Sequence, residues 1–129
     1  MSCAAGSVGS PQPNAGAGGA GAVTPIAGLT SGATCASGTA LTYTNFGSNF
    51  MATFCLRCHS VSVTAPARQA PPDRNFDDLA SIRSLAQPID QQAGAGPTAL
   101  HVTMPPNGVA PTISERTQLS LWLACGAPQ

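Results

Sequence analysis

Cys55, Cys58 and His59 occupy five consecutive positions in the stretch FCLRCHS, and a lone methionine, Met104, follows forty-five residues later in HVTMPPNG. Two thiols and an imidazole so close together suit three chemistries. They can supply part of a metal site, act as a redox dithiol, or fasten a cofactor covalently. A structural zinc site needs four ligands and normally brings a second paired set. Here only His101, Cys35 or Cys125 could complete one. A redox dithiol belongs between a strand and a helix, and no stretch before Cys55 reads as a strand.

The third chemistry accounts for all three residues. On a helix, positions 55, 58 and 59 fall at i, i+3 and i+4 and project from one side. Two thiols placed there can add to the two vinyl groups of one haem, with the adjacent imidazole reaching the iron. Cys-x-x-Cys-His is the attachment signature of c-type haem. A haem held by one histidine needs a second axial ligand or an open site. Met104 stands before Pro105 and Pro106, which stiffen its loop and lower the cost of ordering a thioether ligand. His101 is the alternative ligand and would lower the potential relative to methionine.

Around these residues the 129-residue chain is uneven. All ten charged residues lie between Arg57 and Arg116, five arginines balance five acids, and there is no lysine. That balance gives no reason to expect nucleic acid or an anionic membrane surface as a partner. Residues 1–33 are rich in Gly, Ala, Ser and Pro, uncharged and without apolar period, and read as a flexible low-complexity tether. The folded domain is expected over 34–129. Phe46, Phe50, Met51 and Phe54 suit one face of a helix that starts at Thr44 or Asn45 and runs to about Leu56. A second short helix is expected with Asn75 as its cap, Leu79, Ile82, Leu85 and Ala86 as its apolar stripe, and Pro88 as its end. Loop follows from there to a last helix, opened by a Thr112–Glu115 capping box, with Leu119, Trp122 and Leu123 on one face and Gly126 as the stop. No segment is convincingly β. The expected fold is a small all-α domain with long loops.

Taken in order, these pieces resemble class I monohaem c-type cytochromes of bacteria, over roughly residues 35–128. Cys55-Leu56-Arg57-Cys58-His59 matches the haem motif. Gly47 and Met51 stand eight and four residues before Cys55, where the family usually has a glycine and an aromatic. The methionine departs from that pattern and implies repacking with Phe50 or Phe54. Met104-Pro105-Pro106 resembles the family's axial-ligand loop, and Trp122 the aromatic of its C-terminal helix. The resemblance implies a cytochrome c-like helical fold around one covalent haem c. It implies His59 and Met104 on the iron, and one-electron carriage between redox partner proteins rather than enzyme activity. Phe46, Phe50, Leu79, Ile82 and Trp122 are candidate apolar walls. Arg57, Arg68 and Arg74 are candidate partners for haem propionates.

The family's haem is attached outside the cytoplasm, so a periplasmic or cell-surface location in a bacterium is expected. The chain shows no hydrophobic signal segment, which is taken as cleaved, replaced or omitted. If the first and last helices cross as in the family, Cys35 and Cys125 could form a disulfide, although sequence alone does not fix the pairing. Cys3 is then left as a site for a lipid anchor, the only membrane link expected, or for an intermolecular bond or a free thiol. The missing lysines imply docking that depends weakly on salt. Two other functions remain open. One is a haem enzyme or small-ligand sensor with a labile sixth position. The other is a subunit of an oligomeric electron-conducting assembly joined through its N-terminal tail.

Overall fold

The computed structural model describes residues 23–129, so Cys3 and most of the expected tether lie outside the described residues. A π-helical turn, Tyr43–Gly47, leads into α1, Ser48–Phe54. Then come α2, Leu79–Ser84, α3, Ala86–Ala93, and α4, Ile113–Ala124. One isolated antiparallel bridge, Ala95 with Leu100, is the sole β pairing among the described residues. The molecule is small and mostly helical. No helix among the described residues is long and apolar enough to cross a membrane.

The first helix begins earlier than its sequence suggests. Thr42 is the cap: its hydroxyl accepts from the Asn45 amide at 3.0 Å, while the Asn45 side chain accepts from the Thr42 amide at 2.8 Å. Asn45 is thus the far partner of a capping box rather than the cap itself. Phe50, Met51 and Phe54 are buried. The helix also stops short of the cysteine motif, at Phe54. Beyond it the amides of Cys58 and His59 both donate to the carbonyl of Cys55, at 3.1 and 2.9 Å. Hydrogen-bonded turns, not a helix, therefore bring Cys55, Cys58 and His59 together.

Helix α4 is where the sequence is most literal. Thr112 and Glu115 form the capping box, Leu119, Trp122 and Leu123 are fully buried, and Gly126 ends the helix at φ 88°. Gly47 is needed here, because a Cβ on it would come within 2.4 Å of the Trp122 ring. Tyr43 stacks on Trp122 at 6.3 Å and Phe46 meets it edge-on at 6.0 Å. These two rings, not Phe50 or Phe54, accompany the tryptophan.

Three features of the middle segment differ from expectation. Asp78 caps α2 by accepting from the Ser81 amide at 2.8 Å, whereas Asn75 is buried and donates to the Pro72 carbonyl. Pro88 ends nothing. The break falls at Leu85, and Pro88 is the third residue of α3, where its missing N–H would have had no helical partner. Gln91 to Ala93, expected as loop, complete α3.

The domain also starts before residue 34. Leu29, Ser31 and Ala33 are buried, the Ile26 amide donates to the Ala124 carbonyl, and the Ser31 amide donates to Asp90 at 2.9 Å. Asp90 is fully buried and also accepts from the Ser120 hydroxyl at 2.5 Å, so one carboxylate joins the N-terminal segment, α3 and α4. Residues 23–33 therefore belong to the folded unit and not to a tether. The ends are further fastened by a Cys35–Cys125 disulfide, with the two Cα atoms 4.9 Å apart.

Candidate functional site

Two irregular loops enclose a cleft of about 520 Å³, a size suited to a small cofactor. Cys55, Cys58 and His59 line one wall, and Met104 with Pro105 and Pro106 lines the other. Phe50 and Phe54 from α1, with Pro88, Ile89 and Ala93 from α3, supply apolar surface between them. Of the five residues expected as walls only Phe50 lines the cleft. Ile82 and Trp122 are wholly buried in the core, which Phe46 and Leu79 join from its edge.

The cysteine wall is held in shape by Arg68. Its guanidinium donates to the carbonyls of Ser60, Val63, Ala70, Pro71 and Arg74, at 2.5 to 3.4 Å. A loop outside regular structure leaves its carbonyls in need of partners, and one planar donor here serves five of them. The Arg74 carbonyl also accepts from His59 Nδ1 at 2.8 Å. A carbonyl can only accept, so Nδ1 carries the hydrogen and the neutral ring keeps its lone pair on Nε2. Phe76, itself bonded through its amide to the His59 carbonyl, stacks on the imidazole at 4.6 Å. Burial pushes the His59 pKa below its ordinary value, against the pull of the Arg74 carbonyl; the Arg68 and Arg74 charges add to the depression. The result is a neutral imidazole fixed in orientation, with its lone pair on Nε2.

Met104 is placed by a different set of contacts. Its amide donates to the Gln92 carbonyl at 2.8 Å, and its carbonyl accepts from Arg116 at 2.8 Å. Arg116 Nη1 also reaches the carbonyls of Ala93 at 3.1 Å and His101 at 3.0 Å. The alternative ligand His101 does not line the cleft; its Nε2 lies 3.0 Å from the Thr30 hydroxyl. Arg57, on the cysteine wall, donates to the Asn107 carbonyl in the methionine loop. Arg57 and Arg74 line the cleft, whereas Arg68 does not and is committed to backbone carbonyls.

The rival chemistries fit these surroundings poorly. Cys35 and Cys125 are consumed by their disulfide and His101 faces Thr30. Among the described residues no three of His, Cys, Asp or Glu gather as a metal site. Burial, with Cys58 beside it, pushes the Cys55 thiol up to about 12, the opposite of an activated dithiol. The donor set fits a haem instead. It offers two thiols on one loop, a tautomerically fixed imidazole next to them, a thioether on the facing loop, and apolar surface between.

Of the two arginines that shape these loops, sequence reasoning missed Arg116 and named Arg68 only as a candidate propionate partner, not as the donor that holds its own loop. Arg116 had a readable signal, since it stands three residues before Leu119 and seven before Leu123, on the buried face of α4. Arg68 had none, because it sits in an aperiodic Pro-rich segment. Comparison with protein families, curated proteins and solved structures finds no match to this chain.

Proposed function

We propose that this protein is a one-electron carrier with a single haem c, joined to Cys55 and Cys58 and ligated by His59 and Met104. The observation that carries the reading is the cleft itself, where all four residues, presented by two separate loops, line one largely apolar space. Bound there, haem iron would cycle between ferric and ferrous states. The chain's own contribution is to hold still. His59 is fixed by the Arg74 carbonyl and Phe76, and Met104 by Gln92 and Arg116. Two ligands held before and after the electron moves leave little to reorganise. Phe50, Phe54 and Ile89 exclude water and penalise the extra charge of the oxidised state, which raises the potential. Attachment of this kind belongs outside the cytoplasm, and the disulfide is compatible with that. With no lysine in the chain, docking to redox partners depends weakly on salt.

The test is the visible and near-red spectrum of the haem-loaded, exported protein beside that of Met104→Ala. A weak sulfur-to-iron charge-transfer band in the ferric protein, lost in the variant, is the expected result. A high-spin spectrum would favour a ligand-binding enzyme or sensor, and a low-spin spectrum without the band would move His101 onto the iron. Protein that takes up no haem would end the proposal.

A further inference from the structure

Arg116 does not line the cleft, yet it holds the backbone of the loop that carries Met104. It is 3% exposed, and among the described residues no carboxylate lies within salt-bridge distance of it. Its side chain donates to three neutral carbonyls, those of Ala93, His101 and Met104. Burying a guanidinium without a counter-charge is costly. The convergence of these carbonyls on Nη1 gives it a purpose. Ala93 ends α3, His101 begins the approach to the methionine loop, and Met104 is its tip, so one nitrogen gathers three points of the backbone that frame the thioether.

Resting on the haem reading above, we infer that Arg116 is the positioning residue for Met104, and that its buried, unpaired positive charge biases the bound iron toward the ferrous state. The two effects are separable. Positioning depends on donors arranged to meet three carbonyls at once. The electrostatic effect depends only on a cation staying where Arg116 lies, in a medium that screens it weakly. Lysine preserves the charge, but its shorter side chain ends before the position of Nη1 that meets the three carbonyls, and methionine preserves neither charge nor donor.

The experiment measures imidazole binding to the ferric haem protein and its reduction potential, for wild type, Arg116→Lys and Arg116→Met. Imidazole competes with Met104 for iron, so its affinity reports how firmly the thioether is held. Both variants are expected to bind it more than about tenfold tighter, from the loss of charge-assisted hydrogen bonds. The potential is expected to fall in Arg116→Met and to stay nearer wild type in Arg116→Lys. Amide exchange at His101 and Met104 should quicken about tenfold in both, a readout that does not pass through the haem. Should Arg116→Met fail to fold, Arg116→Lys alone decides the positioning, and Arg116→Gln, with two donors and no charge, takes over the test of the potential. A wild-type protein that takes up haem but lacks the sulfur-to-iron band would overturn the Met104 ligation on which this inference rests. With the band present, unchanged imidazole affinity in every variant would overturn the positioning role, and equal potentials in the charged and neutral variants would overturn the electrostatic one.

Discussion

The two walls of the cleft use one device at different ranges. In each, an arginine gathers the carbonyls of a loop that lacks regular structure. Arg68 reaches carbonyls two to eight residues away along the chain. Arg116 reaches carbonyls twelve to twenty-three residues away, from a helix that must already be packed. Closing a short loop costs less chain entropy than closing a long one. The cysteine wall is therefore close to a local structure, while the methionine wall exists only when α3, α4 and the N-terminal segment are docked. Asp90 makes that docking explicit, since it accepts from Ser31 and Ser120 together.

The largest perturbation of this contrast is removal of the disulfide. Cys35 and Cys125 are 90 residues apart in sequence, so their bond restrains most of the described chain in the unfolded state. Cys35→Ser with Cys125→Ser is expected to cost about 4–5 kcal/mol in denaturant unfolding, much of the stability of a small domain. In the protein that still folds, amide exchange should rise more at His101 and Met104 than at Cys58 and His59. Equal increases on both walls would break the distinction between them.

The same contrast explains what could be read in the sequence. Helix α4 was legible because its signals are local: Thr112 and Glu115 three apart, an apolar face, a glycine at the stop. The cysteine motif was legible because its chemistry lies within five residues. Pro88 misled because a proline forbidden inside a helix is harmless in its first turn, and the break at Leu85 that makes it first-turn carries no composition signal. Residues 23–33 misled for a deeper reason. They have no apolar period, and their order comes from single amides and small buried side chains meeting Asp90 and Ala124, partners far away in sequence. The buried disposition of Arg116 was available from its spacing to Leu119 and Leu123, but a charge on a buried face reads as an exception until its carbonyl partners are seen.

A smaller effect is expected from Arg68→Met. Arg68 is half-buried, so water can replace part of its bonding, and the loss should be about 1–2 kcal/mol in denaturant unfolding. The sharper readout is spectral. If the walls are built separately, Arg68→Met disturbs the His59 side and leaves the sulfur-to-iron band intact, whereas Arg116→Met weakens that band. A band weakened equally by both changes would show that the arginines act on one cooperative unit.

Arg57 is the smallest and most discriminating case, because it links the walls directly. It stands between the two cysteines and donates across fifty positions to the Asn107 carbonyl. The glycine that follows Asn107 leaves room for it, since a Cβ on Gly108 would collide with the guanidinium. Yet Arg57 is exposed, and a bond that water can replace contributes little. Arg57→Ala should therefore cost less than about 1 kcal/mol. It should also raise the imidazole affinity of the ferric protein by no more than about threefold, against more than about tenfold for Arg116→Met. The contrast in burial alone predicts that ratio, since both side chains hold the same loop by donating to its carbonyls. An Arg57→Ala variant as permissive as Arg116→Met would mean that the methionine loop is held from across the cleft and not from beneath, and that the two walls form one structure.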